Sequence, residues 1–158
     1  MKAFRVDINA DFKCQHCGAY VSAARALAGV ANRNHCPYCL WSRHLDLFEA
    51  GDRLAACKAL MRPVGLTLKN SRNKYARIGS GELMLVHLCT HCERISINRI
   101  ASDDIPQAIM EVYEASLGAP ARLRQQGITD GINLLGDESF DIIYQQLYGQ
   151  TVRPALAF

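Results

Sequence analysis

Three Cys-x-x-Cys pairs, two apolar runs flanking a polar loop, and two apolar stripes at helical spacing near the C-terminus together predict an α+β fold. The expected architecture is a small zinc-ribbon-like domain with short antiparallel strands over residues 1–104, followed by a helical C-terminal extension over residues 105–158. Phe4, Val6 and Ile8 alternate with Arg5, Asp7 and Asn9, the period of a half-buried strand leading to the first pair, Cys14 and Cys17. Residues 18–35 link that pair to Cys36 and Cys39, and the small residues within 23–31 favour no particular element. The spacing of Leu54, Cys57 and Leu60 makes residues 40–61 helical in part. Val64, Leu66 and Leu68 alternate with small or polar residues, and residues 83–88 are apolar between Gly81 and Cys89. These two runs predict a hairpin with a long loop, residues 69–81. Ile95, Ile97 and Ile100 predict a last short strand after the third pair, Cys89 and Cys92.

Asp103, Asp104 and Pro106 mark a helix start, because acids suit the positive end of the helix dipole and proline has no amide hydrogen to lose there. Ile105, Ile109, Val112, Tyr113 and Leu117 then share one face, with Gly118 as a stop. Phe140, Ile143, Tyr144, Leu147 and Tyr148 repeat the helical pattern before Gly149. These faces either cover the cysteine-rich domain and each other or dock a protein partner.

The chain has 158 residues, 49% apolar and 21% charged, a globular balance that argues against disorder. No apolar run reaches the roughly 18 residues of a membrane-spanning helix. Residues 1–7 lack the uninterrupted apolar stretch of a secretory signal, so a cytoplasmic location is expected. Residues 1–104 carry 15 Lys or Arg against 9 Asp or Glu, whereas residues 105–158 carry 3 against 6. The cysteine-rich part is therefore basic and suits an anionic partner.

Seven cysteines without an export signal do not fit a disulfide framework, and close pairs in a reducing compartment more often hold metal. Zinc takes four thiolate or imidazole donors in a tetrahedron, and each Cys-x-x-Cys turn supplies two. The first two pairs form C-x2-C-x18-C-x2-C, the spacing of a zinc ribbon, with Gly18 and Pro37 as turn residues. Cys89 and Cys92 need two more donors. Cys57 is the remaining cysteine, and His44 is the first choice among His16, His35, His44, His87 and His91, because it lies between Cys39 and Cys57. Two zinc ions per chain are expected. Spacing leaves a second partition open, with Cys14 and Cys17 joining Cys89 and Cys92 while Cys36, Cys39, His44 and Cys57 form the other set.

The run Arg33-Asn34-His35-Cys36-Pro37 resembles the signature of the bacterial RNHCP-domain family. The likeness extends through Cys14, Cys17, Cys39, Leu40, Ser42, His44, Asp46, Gly51-Asp52-Arg53, Cys57, Met61 and Pro63. It continues with Val86-His87, Cys89, Cys92, Asn98-Arg99-Ile100-Ala101 and Asp103-Asp104, and so covers about residues 10–104. The resemblance implies a zinc-ribbon-like domain and carries no established activity with it. The chain departs from the family pattern over residues 19–29 and at Glu93, where similar proteins tend to have glycine.

Enzymatic readings fit poorly. A zinc deaminase places H-x-E before P-C-x-x-C, but here His91-Cys92-Glu93 comes last and Pro37 follows its cysteine. A thioredoxin-like site would need a βαβ pattern. Asp46, Asp52, Asp103 and Asp104 fit capping and arginine pairing better than acid–base work. A binding module is expected instead, with no catalytic residue and no small-molecule substrate. Lys69, Arg72, Lys74, Tyr75 and Arg77 lie in a segment without an acid, where cations can pair with phosphates and the tyrosine can stack on an unpaired base. Arg33, Arg43, Arg53, Arg94 and Arg99 extend that surface if they share a face. RNA or a ribonucleoprotein, including the ribosome, is the expected partner. The alternative is a protein-interaction adaptor using the C-terminal helices.

Overall fold

The computed structural model describes residues 10–49, 51–70 and 81–149. The sequence-derived strand around Phe4, Val6 and Ile8 lies outside them. Strands β1 (Phe12–Lys13) and β2 (Tyr20–Val21) pair antiparallel around the first cysteine turn. A single helical turn, α1 (Arg25–Ala28), ends at Gly29, which adopts φ 67°. Four further strands form an antiparallel sheet in chain order: β3 (Ser42–Arg43), β4 (Leu60–Asn70), β5 (Gly81–Cys89) and β6 (Ile95–Arg99).

β4 and β5 form the expected hairpin, in register from Met61 opposite Cys89 to Asn70 opposite Gly81. Its register shifts between Pro63 and Gly65, where a residue without an amide hydrogen would otherwise interrupt the ladder. The apolar run of β5 is explained by burial on both faces of the sheet. On one face Leu66, Leu83 and Leu85 pack with Leu40, Ile109, Met110, Tyr113 and Ile143. On the other, Val64, Val86 and Ile95 meet Leu123, Ile132 and Leu134.

The helices are α2 (Pro106–Ser116), α3 (Ala121–Thr129) and α4 (Phe140–Tyr148), the last entered through a 3-10 turn at Asp137–Ser139 and closed by Gly149 at φ 65°. Ile109 and Tyr113 of α2 and Ile143 of α4 are thus buried in this core, while Ile105, Leu117, Phe140 and Tyr148 at the ends of the two stripes stay exposed. The intervening segment is pinned by Thr67 Oγ1 donating to Asn133 O at 2.7 Å and Tyr113 Oη donating to Gly136 O at 2.6 Å. Gly65 permits this close approach, since a Cβ there would lie 2.8 Å from Leu134 Cδ2. No helix among the described residues is long and apolar enough to cross a membrane.

Three local expectations are corrected. Residues 40–61 hold β3, loops and the first residues of β4, not a helix. The Asp52 carboxylate accepts from the backbone amides of Leu47, Phe48, Glu49 and Leu54, and Gly51, Arg53 and Lys58 adopt positive φ, so a side-chain-organised turn displaces the helix. Asp103 and Asp104 do not cap α2. Its N-cap is Ile105, without a side-chain bond. Both acids are turned back toward Arg33. α3 was not anticipated, because its sequence, ARLRQQGIT, carries too few apolar residues to show a stripe.

Candidate metal centres

Each Cys-x-x-Cys pair forms the same knuckle. The amide of the first cysteine donates to the carbonyl five residues on: Cys14 to Ala19 at 2.8 Å, Cys36 to Trp41 at 3.0 Å, Cys89 to Arg94 at 2.9 Å. The amide four residues after that cysteine returns to its carbonyl, from Gly18, Leu40 and Glu93 at 2.9, 2.9 and 3.1 Å. Those three residues all adopt the left-handed conformation, with φ 79°, 64° and 61°. Glycine takes that conformation freely, whereas leucine and glutamate are strained by it. Leu40 is held there by full burial in the main core.

The first two knuckles face each other. One ligand atom from each of Cys14, Cys17, Cys36 and Cys39 lies within 4.8 Å of the others, with Cys14–Cys39 and Cys17–Cys36 sulfur separations of 3.6 Å. Four thiolates at about 2.3 Å from a tetrahedral zinc sit roughly 3.8 Å apart, so the set fits the metal, and it is too open for disulfides at about 2.05 Å. The third knuckle meets Cys57 and His44 in a second set with the same limit of 4.8 Å. Cys57 and Cys89 sulfurs are 3.6 Å apart, and His44 Nδ1 is 3.3 Å from Cys92 Sγ. Two backbone bonds hold this corner, from His44 N to Ala59 O at 2.9 Å and from Lys58 N to His44 O at 3.1 Å. The open choice of partition is resolved in favour of consecutive pairs, with two zinc sites.

The ionisation of the donors also fits a cation. Burial opposes charge on Cys14, but the amides of Cys17 and His16 outweigh it and hold the thiol below its ordinary pKa. Cys89 is lowered likewise by the amides of Cys92 and His91 against burial. Their neighbours go the other way. Burial first, and then proximity to the ionised partner sulfurs, raises Cys36, Cys39 and Cys92. One thiolate in each set thus suppresses the next, the arrangement that a dication relieves. Burial, and then the charge of Arg94 against that of Asp46, lowers His44 and keeps its imidazole a neutral donor.

Three of the other histidines are employed elsewhere. His16 stacks on Trp41 with ring centroids 4.0 Å apart. His87 Nε2 donates to Leu40 O at 2.7 Å, and Asn98 Nδ2 donates to its Nδ1 at 2.9 Å. His35 Nε2 bonds the Asp104 carboxylate at 2.6 Å.

That last bond belongs to a buried latch which sequence reasoning missed. Arg33 donates to Ser22 O and His35 O and pairs with Asp103 and Asp104, so its side chain is fully buried. Asn34 bridges Asp46 and Arg53. Pro37 O accepts the amide of Ile105 at 3.1 Å. Residues 33–37 therefore tie the first zinc set to the entrance of α2. The signal was present in sequence as the co-occurrence of Arg33-Asn34-His35 with Asp103-Asp104, but spacing cannot reveal a contact across 70 residues. Arg33 and Arg53 consequently do not extend a cationic surface as expected, while Arg43, Arg94 and Arg99 line one cleft. Of the loop residues, Lys69 lies within β4, opposite Glu82, and is exposed. Arg72, Lys74, Tyr75 and Arg77 lie outside the described residues.

Two four-donor sets, built on three identical knuckles at one end of a short antiparallel sheet, define a zinc-binding module. The chain belongs to the RNHCP domain family, whose model matches residues 9–110. No curated protein and no solved structure matches it.

Proposed function

We propose that this zinc-binding module binds RNA, alone or within a ribonucleoprotein such as the ribosome, and is not an enzyme. The observation that carries the reading is the β4–β5 hairpin, whose register runs to Asn70 opposite Gly81 and so makes residues 71–80 its connection. That connection and its root hold Lys69, Arg72, Lys74, Tyr75 and Arg77 and no acid. Cations on a hairpin connection meet phosphates with little desolvation cost, and a tyrosine among them offers a stacking surface. Each zinc set has four protein donors, which leaves no coordination position for a substrate and favours a structural role. The adaptor reading is weaker, because Ile109, Tyr113 and Ile143 of the C-terminal helices are buried in the chain's own core.

The test replaces Lys69, Arg72, Lys74 and Arg77 together by glutamine in zinc-loaded protein. The fold and zinc content should be retained, RNA binding should weaken, and the salt dependence should flatten by roughly one unit of slope per lost contact. Tyr75→Ala should weaken binding to unpaired RNA and leave the slope nearly unchanged. Binding that survives the four-charge change at every salt concentration contradicts the proposal.

A further inference from the structure

Two stacked rings stand beside the first zinc set. His16, inside the turn from Cys14 to Cys17, lies parallel to Trp41, with ring centroids 4.0 Å apart and an angle of 5° between the planes. Trp41 follows the turn from Cys36 to Cys39, and the two turns are held together by sulfur separations of 3.6 Å, Cys14 to Cys39 and Cys17 to Cys36. Trp41 is half-buried and covers one face of the imidazole. His16 is nevertheless exposed, so its open surface is the opposite face and the ring edges. Among the described residues no hydrogen bond holds its side chain, and it serves the knuckle through its backbone amide, which bonds the Cys14 sulfur. The ring is thus held flat from beneath and open above.

Its surroundings say what such a ring can take. Residues 12–45 contain no acid, and the exposed cations there are Lys13 and Arg25. Lys13 leans over the same turn as His16: its Cε lies 4.0 Å from where a Cβ on Gly18 would stand, and its Nζ is 5.8 Å from the ring centre of Tyr20, which is 81% exposed. In the second turn, Tyr38 holds the position that His16 holds in the first and is also exposed. A third flat ring extends a parallel stack, and a ligand that brings negative charge beside that ring matches Lys13. An unpaired nucleotide supplies both, a π face and a phosphate. An acidic peptide supplies the charge without the flat ring, and an apolar segment leaves Lys13 unmatched.

We infer that the His16–Trp41 pair is a stacking platform for an unpaired base of single-stranded RNA, with Lys13 meeting the adjacent phosphate. The inference rests on the reading of this module as an RNA binder and is independent of the hairpin connection.

The test uses zinc-loaded full-length protein. The carbon-bound ring protons of His16 are followed by NMR during titration with a single-stranded oligoadenylate and, separately, with inorganic polyphosphate, a polyanion without bases, at constant ionic strength. Affinity is read from the anisotropy of labelled oligomer. The ring protons should move upfield with the oligomer, because the base lies over the open face, and should stay in place with polyphosphate. Removing both rings, His16→Ala with Trp41→Leu, should weaken the oligomer on the order of tenfold at unchanged zinc content. His16→Ala alone would hand the base to the bare indole, so the pair is removed together. His16→Phe, which keeps a ring on Trp41, should bind like the unaltered chain. Equal movement with polyphosphate, or undiminished binding by the double variant, overturns the inference. RNA binding that leaves His16 unmoved overturns it and spares the loop proposal. His16 movement at undiminished affinity after Lys69, Arg72, Lys74 and Arg77 are replaced supports the platform and removes the loop. No binding of RNA at all overturns both.

Discussion

Replacing Arg33 by alanine removes the centre of the latch between the first zinc set and α2. The guanidinium is fully buried, 2.7 Å from Asp103 Oδ1 and 3.6 Å from Asp104 Oδ1, and it also serves the carbonyls of Ser22 and His35 at 3.2 and 3.1 Å. Its loss strands the fully buried Asp104 carboxylate and two carbonyls. Removing one partner of a buried pair costs about 3–5 kcal/mol. Asp104 keeps His35 Nε2 at 2.6 Å and the Ala101 amide at 2.8 Å, which sets the expectation at the lower end. In a chain of this length that corresponds to a melting temperature lower by about 6–12 °C. Thermal unfolding followed by circular dichroism, with zinc buffered and metal content measured, gives the value. Coupling is read from a double-mutant cycle. In an Asp104→Asn background, where no buried carboxylate is left behind, the same Arg33→Ala change should cost only about 1 kcal/mol. A melting shift under 2 °C for the single variant (about 1 kcal/mol or less), or strictly additive costs in the cycle, refutes the latch.

Glu93 is the strained member of the third knuckle, at φ 61°, and among the described residues its side chain makes only an exposed, 3.6 Å contact to Arg122. Glu93→Gly should therefore stabilise the zinc-loaded protein by about 0.5–1 kcal/mol, and an unchanged or lower melting temperature contradicts this. His87 offers a pH prediction. Burial first, and then the neighbouring His35, hold its pKa down to about 3, against an ordinary value of 6.5. The unfolded chain takes the proton first as pH falls, so stability declines from pH 6.5 downward toward 3, by at most about 1.4 kcal/mol per pH unit. NMR at pH 5 should still show the neutral ring protonated on Nε2, and an imidazolium signal from folded, zinc-loaded protein contradicts it.

The hairpin, β6, and the two apolar helices were legible because their patterns are local: period two over residues 64–68, a continuous run over 83–88, and period 3.6 over 140–148. The donors of both zinc sites were legible because thiol chemistry leaves few alternatives, and His44 because it lies between Cys39 and Cys57 along the chain. What failed was non-local or backbone-specific. Leu54, Cys57 and Leu60 mimic a helix, yet Asp52 gathers four backbone amides and winds the segment into a loop that brings Cys57 to Cys89. Asp103 and Asp104 look like helix-capping acids until Arg33, far earlier in the chain, is placed against them. α3 is too polar to announce itself; Leu123 packs with Ile132 and Leu134 against Val64, Val86 and Ile95, and Arg124 and Gln126 donate to Ser116 O and Glu93 O.

The central claim is that this chain carries two independent structural zinc sites with the donors Cys14, Cys17, Cys36, Cys39 and His44, Cys57, Cys89, Cys92. Native mass spectrometry of protein purified without added metal tests it most directly, on the unaltered chain and on the His44→Ala, Cys57→Ser double variant. The account predicts two zinc ions on the first and one on the second, since the first set shares no donor with the removed pair. One zinc on the unaltered chain, or an unchanged count of two on the double variant, contradicts it.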